Sequence, residues 1–155
     1  MWRQPRSCLK QWRSIVLPTD GSANSDAAAW CAANPKLFKR DEIRVHVVHC
    51  VPDLSGEVKS FIGRAQIDRW HTTESANAMQ SVVDILREAG VRTVTQGLVG
   101  FAPERIIAYA KSVGAEAIVM GSHGRGAFLD AIVGSVAGRV LAHAPCPVVL
   151  VKPIS

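Results

Sequence analysis

The chain has 155 residues, 48% of them hydrophobic and 20% charged, as expected of one ordinary globular domain. Such a domain buries roughly 68–70% of its unfolded surface and needs neither a disulfide nor a metal to hold it. No apolar run approaches the ~18 residues of a membrane span, and Met1–Arg13 carries charges and two tryptophans where a signal peptide has a continuous apolar stretch. The expected location is the cytoplasm, with no membrane partner.

The formal charge is +5, from 18 basic and 13 acidic residues. Arg3, Arg6, Lys10 and Arg13 stand in a segment without acids, and the remaining 14 basic and 13 acidic residues nearly cancel. The sequence therefore divides into a basic extension, residues 1–13, and a domain, residues 14–155. A near-neutral body lacks the broad basic surface of a phosphate-backbone binder, so no nucleic-acid partner is expected; the extension reads as a solvated tail. Cys8, Cys31, Cys50 and Cys146 are widely spaced, which suits reduced thiols and gives no metal motif.

In chain order, Ser14–Pro18 is a short apolar run of the kind buried on both faces of a sheet. Ser22 can cap a helix over Ala23–Ala33, which Asn34-Pro35 stops. Ile43–Val51 is β-branched and reads as a second strand closed by Pro52-Asp53; its His46 and His49 are taken as strand residues, not metal ligands. After a loop, a helix is predicted over about 67–89, with Ile67, Trp70, Met79, Val82, Val83 and Leu86 forming its apolar stripe and Gly90 ending it. Val91–Val99 is a third strand. Pro103 suits the first turn of a helix that carries Ile106, Ile107 and Ala110 and ends near Gly114. Ala115–Met120 is a fourth strand, Val136–His143 a fourth helix and Val148–Val151 the last strand. This alternation predicts an α/β fold: a five-stranded parallel sheet flanked by four helices. In such sheets ligands bind outside the carboxyl ends of the strands, which directs attention to Asp20, to His49–Pro52 and to the residues from Gly121 onward.

Residues 121–138, GSHGRGAFLDAIVGSVAG, hold five of the twelve glycines. Glycines permit positive φ and close approach of a ligand to backbone amides. A helix opening at Ser135 adds free N–H groups, a positive dipole end and a hydroxyl, which together suit phosphate. Thirteen residues separate Gly121 from Ser135, longer than an ordinary connection and more often functional at that length. A P-loop would need Lys and Ser/Thr after its second glycine, but Gly126 is followed by Ala127-Phe128. The GxGxxG fingerprint is absent too.

The spacing Gly121-x2-Gly124-x9-Gly134-Ser135 resembles the nucleotide loop of the ATP-binding branch of the universal stress proteins. Ile15–Ser22, Val99–Ile106 and Cys146–Pro153 are similar to further segments of that family, so the likeness spans about residues 13–153. It implies a Rossmann-like three-layer sandwich of the adenine nucleotide alpha hydrolase type. It also implies a regulatory, stress-response protein that binds ATP or another adenine nucleotide and hydrolyses it very slowly at most, Mg2+ arriving with the nucleotide. Pro18, Thr19 and Asp20 would line the adenosine pocket, Asp20 reaching base or ribose; Asp20 also stands where it could cap the first helix. Cys50 would pack on adenine where the family usually has valine, and Met120 would flank the ribose. Gly121, Gly124, Gly134 and Ser135 would hold the phosphates, with Ser22, His123, Arg125 and Val136 beside them. The last strand would form a homodimer contact, and occupancy would alter contacts with another protein. No catalytic group is assigned: the glycine loop has no lysine, and the acids noted are Asp20 and Asp130 alone.

Overall fold

The computed structural model describes residues 12–124 and 133–153. Among them the chain forms five strands, β1 (Arg13–Pro18), β2 (Ile43–Val51), β3 (Arg92–Val99), β4 (Ala117–Gly121) and β5 (Val148–Val151), and five helices, α1 (Ala23–Ala32), α2 (Gly56–Phe61), α3 (Arg64–Glu88), α4 (Ala102–Ser112) and α5 (Ser135–His143). The order across the sheet is β3-β2-β1-β4-β5, and every pairing is parallel. Strand order reverses between β1 and β4, so the crevice of this doubly wound sheet opens beside those strands' carboxyl ends.

The helices divide the core in two. Ile15, Leu17, Val45, Val47 and Val119 pack with α1 and the second half of α3, including Leu86 and Val82. Val16, Val48, Ile118 and Met120 pack on the opposite face with Ile106 and Ala110 of α4 and Ala137 and Val140 of α5. Alternate residues of one strand thus serve different layers, which is why β1 and β4 read as unbroken apolar runs.

Four sequence expectations are corrected. The loop before the long helix contains α2, so the described residues hold five helices, not four. The long helix starts at Arg64 rather than near Ile67. Its stripe is also shorter than the pattern suggests: Met79, Val82, Val83 and Leu86 are buried, but Trp70 is 40% exposed and Ile67 only half-buried. The first buried residue of α3 is Ser75, so the core-facing stripe is confined to the later part of the helix. Finally, Ser22 occupies the N-cap position of α1, yet its hydroxyl makes no capping bond and is a buried oxygen without a partner. The Asp20 carboxylate takes the Ser22 amide instead, at 3.0 Å.

Candidate functional site

The turn leaving β1 at the switch point is organised by Asp20. Its Oδ1 accepts from the Ser22 amide (3.0 Å) and from Ser25 Oγ (3.1 Å), while Ser25 Oγ accepts from the Asp20 amide (3.3 Å). Gly21 adopts φ 80° and donates its amide to Thr19 Oγ1 at 3.0 Å, a conformation that favours glycine. From β2, His49 Nδ1 donates to the Thr19 carbonyl at 2.8 Å, which leaves its Nε2 as the acceptor nitrogen.

A cavity of about 740 Å³ opens over this turn, within the range typical of small-molecule sites. Pro18, Thr19, Asp20 and Ser25 line it from β1 and the turn into α1; Val48, His49 and Cys50 from β2; Ala102 and Ile106 from α4. Met120, Gly121, His123 and Gly124 come from the end of β4, and Val133–Ala137 from the start of α5. The cavity is apolar where Val48, Cys50, Ile106 and Met120 meet it and polar at Asp20, His49 and Ser135.

Among the described residues, these contacts bring together Pro18, Thr19, Asp20, Cys50, Met120, Gly121, His123, Gly124, Gly134, Ser135 and Val136 as the sequence suggests. Ser22 does not line the cavity; the Asx-type turn at Asp20 holds it aside. Arg125 and Asp130 lie outside the described residues. Ser25, Val48, Ala102, Ile106, Val133 and Ala137 were not anticipated. Spacing from β1 could have indicated Ser25, five residues beyond Asp20. The others are apolar residues whose place at the cavity depends on how α4 and α5 cross the sheet.

The glycines act by close approach rather than by unusual backbone angles, since none of Gly121, Gly124 and Gly134 has a positive φ. A side-chain carbon at Gly121 would lie 2.7 Å from Asn24 Cβ and 3.0 Å from its carbonyl carbon, so this glycine lets α1 rest on the end of β4. At Gly134 it would press on Ser122 O and His123 Cα, both at 3.2 Å. The Gly134 amide is committed to the Ser122 carbonyl at 2.7 Å. The following helix does offer donors: its first bond runs from Gly138 N to Gly134 O (2.8 Å), so the amides of Ser135, Val136 and Ala137 precede the intrahelical ladder.

Burial pushes the Cys50 thiol up to about 11, against a smaller opposing pull from Arg105. Cys50 is therefore a neutral, apolar wall group at physiological pH. No group of three or more His, Cys, Asp or Glu able to hold a metal ion occurs among the described residues, and no helix there is long and apolar enough to cross a membrane.

A doubly wound parallel sheet with a ligand-sized cavity at its switch point and a helix N-terminus aimed into it defines a Rossmann-like α/β protein. The profile of the universal stress protein family matches residues 11–152, and the chain belongs to that family. Universal stress protein MJ0531 of Methanocaldococcus jannaschii is 33% identical over 147 residues, covering 91% of this chain and 82% of the relative. The structure of MJ0577, from the same organism, aligns with a TM-score of 0.76 at 25% identity, over 94% of this chain and 99% of that one. The universal stress protein from Archaeoglobus fulgidus, solved in complex with dAMP, aligns with a TM-score of 0.65 at 25% identity, over 93% and 100%.

Proposed function

We infer that this universal stress protein is a regulatory module that binds an adenine nucleotide, ATP or a smaller relative, in the switch-point cavity. The observation that carries the reading is the union, in one cavity of about 740 Å³, of an apolar slot with the unladdered amides of α5. Adenine fits against Val48, Cys50, Ile106 and Met120; phosphate fits at the amides of Ser135, Val136 and Ala137, where the helix dipole favours an anion. Asp20 is held by Ser22 and Ser25 in an orientation suited to a ribose hydroxyl. The dAMP complex of the Archaeoglobus fulgidus relative supports the choice of nucleotide class.

Binding rather than turnover is the function proposed. The glycine loop, residues 121–135, carries no lysine to clamp a transferring phosphoryl group. Mg2+ enters, on this reading, on the nucleotide's own phosphates. The module is proposed to act in the cytoplasm as a homodimer through β5, an edge strand with no further strand beside it among the described residues, with a protein partner that responds to occupancy. The basic extension expected over residues 1–13 is proposed to end at Trp12, because Arg13 opens β1.

Titration calorimetry of the purified chain with ATP, AMP and dAMP tests the site, and light scattering tests the dimer. Binding of at least one nucleotide, weakened by Ser135→Pro, is expected. No heat and no shift in melting temperature with any of the three overturns the nucleotide reading; a single-chain mass at all concentrations overturns the dimer.

A further inference from the structure

The net positive charge of the described chain gathers at the end of the sheet opposite the cavity. In a parallel sheet every strand begins at the same pole, here with the segments that follow α1, α3 and α4. Eight basic and five acidic described residues lie there, including the last turns of α3 and α4, against six basic and seven acidic elsewhere. Three of those cations have partners: Arg13 with Glu116, Lys39 with Glu42 and Arg87 with Asp84. Among the described residues Arg44 and Arg92 have no carboxylate partner, yet they are direct neighbours, paired in register across β2 and β3.

Registered neighbours in a sheet project from the same face, and like charges so placed oppose one another. The arrangement is reinforced rather than relieved. Arg92 is held by the Trp12 ring, its guanidinium carbon 4.2 Å from the ring centroid, and Arg44 Nε is a buried donor with no partner. Burial and the nearby charge of Arg44 both lower the pKa of His46, the next residue along this face. The face thus carries two arginines in register, an aromatic ring against the guanidinium of one, and, among the described residues, no carboxylate paired with either. Beyond Trp12 the sequence continues through Lys10, Arg6 and Arg3 without an acid.

We propose that Arg44 and Arg92 form a carboxylate-binding site through which the strand-start pole docks an acidic segment of a partner protein. A guanidinium presents a planar fork that matches a carboxylate, and one carboxylate between the two arginines removes their repulsion. Acidic protein is favoured over a phosphate backbone because Asp41, Glu42, Glu88 and Glu116 interrupt the basic surface. Glutamate and aspartate carboxylates branch from a flexible chain and can turn away from those acids, whereas phosphates lie in the backbone itself and cannot. The site is separate from the nucleotide cavity and does not depend on it.

The test is fluorescence anisotropy of the full chain with labelled deca-glutamate and, in parallel, labelled deca-thymidylate, at about 50 mM and about 300 mM salt. Deca-glutamate is expected to bind at low salt and to release at high salt. Arg44→Gln with Arg92→Gln is expected to weaken it by about tenfold or more while leaving nucleotide titrations unchanged. Arg92→Glu supplies the missing anion within the chain, so it is expected to abolish deca-glutamate binding and raise the melting temperature, an outcome a merely structural arginine would not give. Absence of deca-glutamate binding at low salt, equal binding by the double variant, or tighter binding of deca-thymidylate would each overturn the proposal.

Discussion

A side-chain carbon placed on Gly124 would lie 2.7 Å from Oδ2 of Asp20. The two residues come from the ends of β4 and β1, on either side of the point where strand order reverses, and the absence of a Cβ at one lets the carboxylate of the other stand at the cavity. Gly124→Ala must displace Asp20, which two hydrogen bonds at Oδ1 hold in place. Adenine-nucleotide affinity is expected to fall by about tenfold, roughly 1.4 kcal/mol, with little change in melting temperature because both residues lie at the rim. Calorimetry beside thermal denaturation checks this; unchanged affinity shows that Asp20 is not a binding group.

Gly121→Ala should behave differently. The added carbon meets the backbone of Asn24 at 3.0 Å as well as its Cβ, and backbone does not yield as a flexible side-chain end does. Overpacking of this kind costs about 1–3 kcal/mol, equivalent to several degrees of melting temperature. A melting temperature equal to that of the unaltered chain would show that α1 is free to shift away from β4.

Cys50 should resist alkylation. With its thiol raised to about 11, iodoacetamide labelling at neutral pH is expected to be far slower than for a thiol in a peptide, and to be slowed further by bound nucleotide. The shift also bears on stability. In the unfolded chain the thiol ionises near its ordinary 9.0, so the folded state loses stability as pH rises from about 9 towards 11. Cys50→Val should flatten that slope and keep nucleotide binding, since valine is similarly apolar. Loss of binding in this variant would assign the sulfur a specific contact.

His46 should produce the opposite pH dependence. It bonds through Nδ1 to the Tyr109 hydroxyl at 3.0 Å, and its Nε2 is buried without a partner. Burial first, and Arg44 second, hold its pKa below the ordinary 6.5. The unfolded chain therefore takes up the proton first, and stability is lost as pH falls below about 6.5. His46→Gln should remove that part of the acid sensitivity in urea titrations across pH 7 to 5. An unchanged slope would assign it to carboxylates elsewhere.

Much of this protein is legible without coordinates, because the strongest signals are local. Buried parallel strands are rich in apolar and β-branched residues; β2 and β5 fall where the sequence places them, and β1 and β4 lie within one or two residues of that reading. The glycine spacing pointed to the end of β4 for the same local reason, as did Pro103 for the opening of α4. Other features depended on what lies across the sheet. Helical period alone cannot reveal that α3 buries nothing before Ser75 and leaves Trp70 40% exposed. Nor can spacing show that Ser122 takes the Gly134 amide, that Asp20 rather than Ser22 organises the first turn, or that Ser25 and Ile106 reach the cavity. The amino-acid sequence by itself determined the alternating elements, the family and the neighbourhood of the site, since these follow from chain-local patterning. Only the tertiary structure decided which amides remain available to a ligand and which two arginines stand side by side, because hydrogen-bond partners and strand register join residues far apart in the chain.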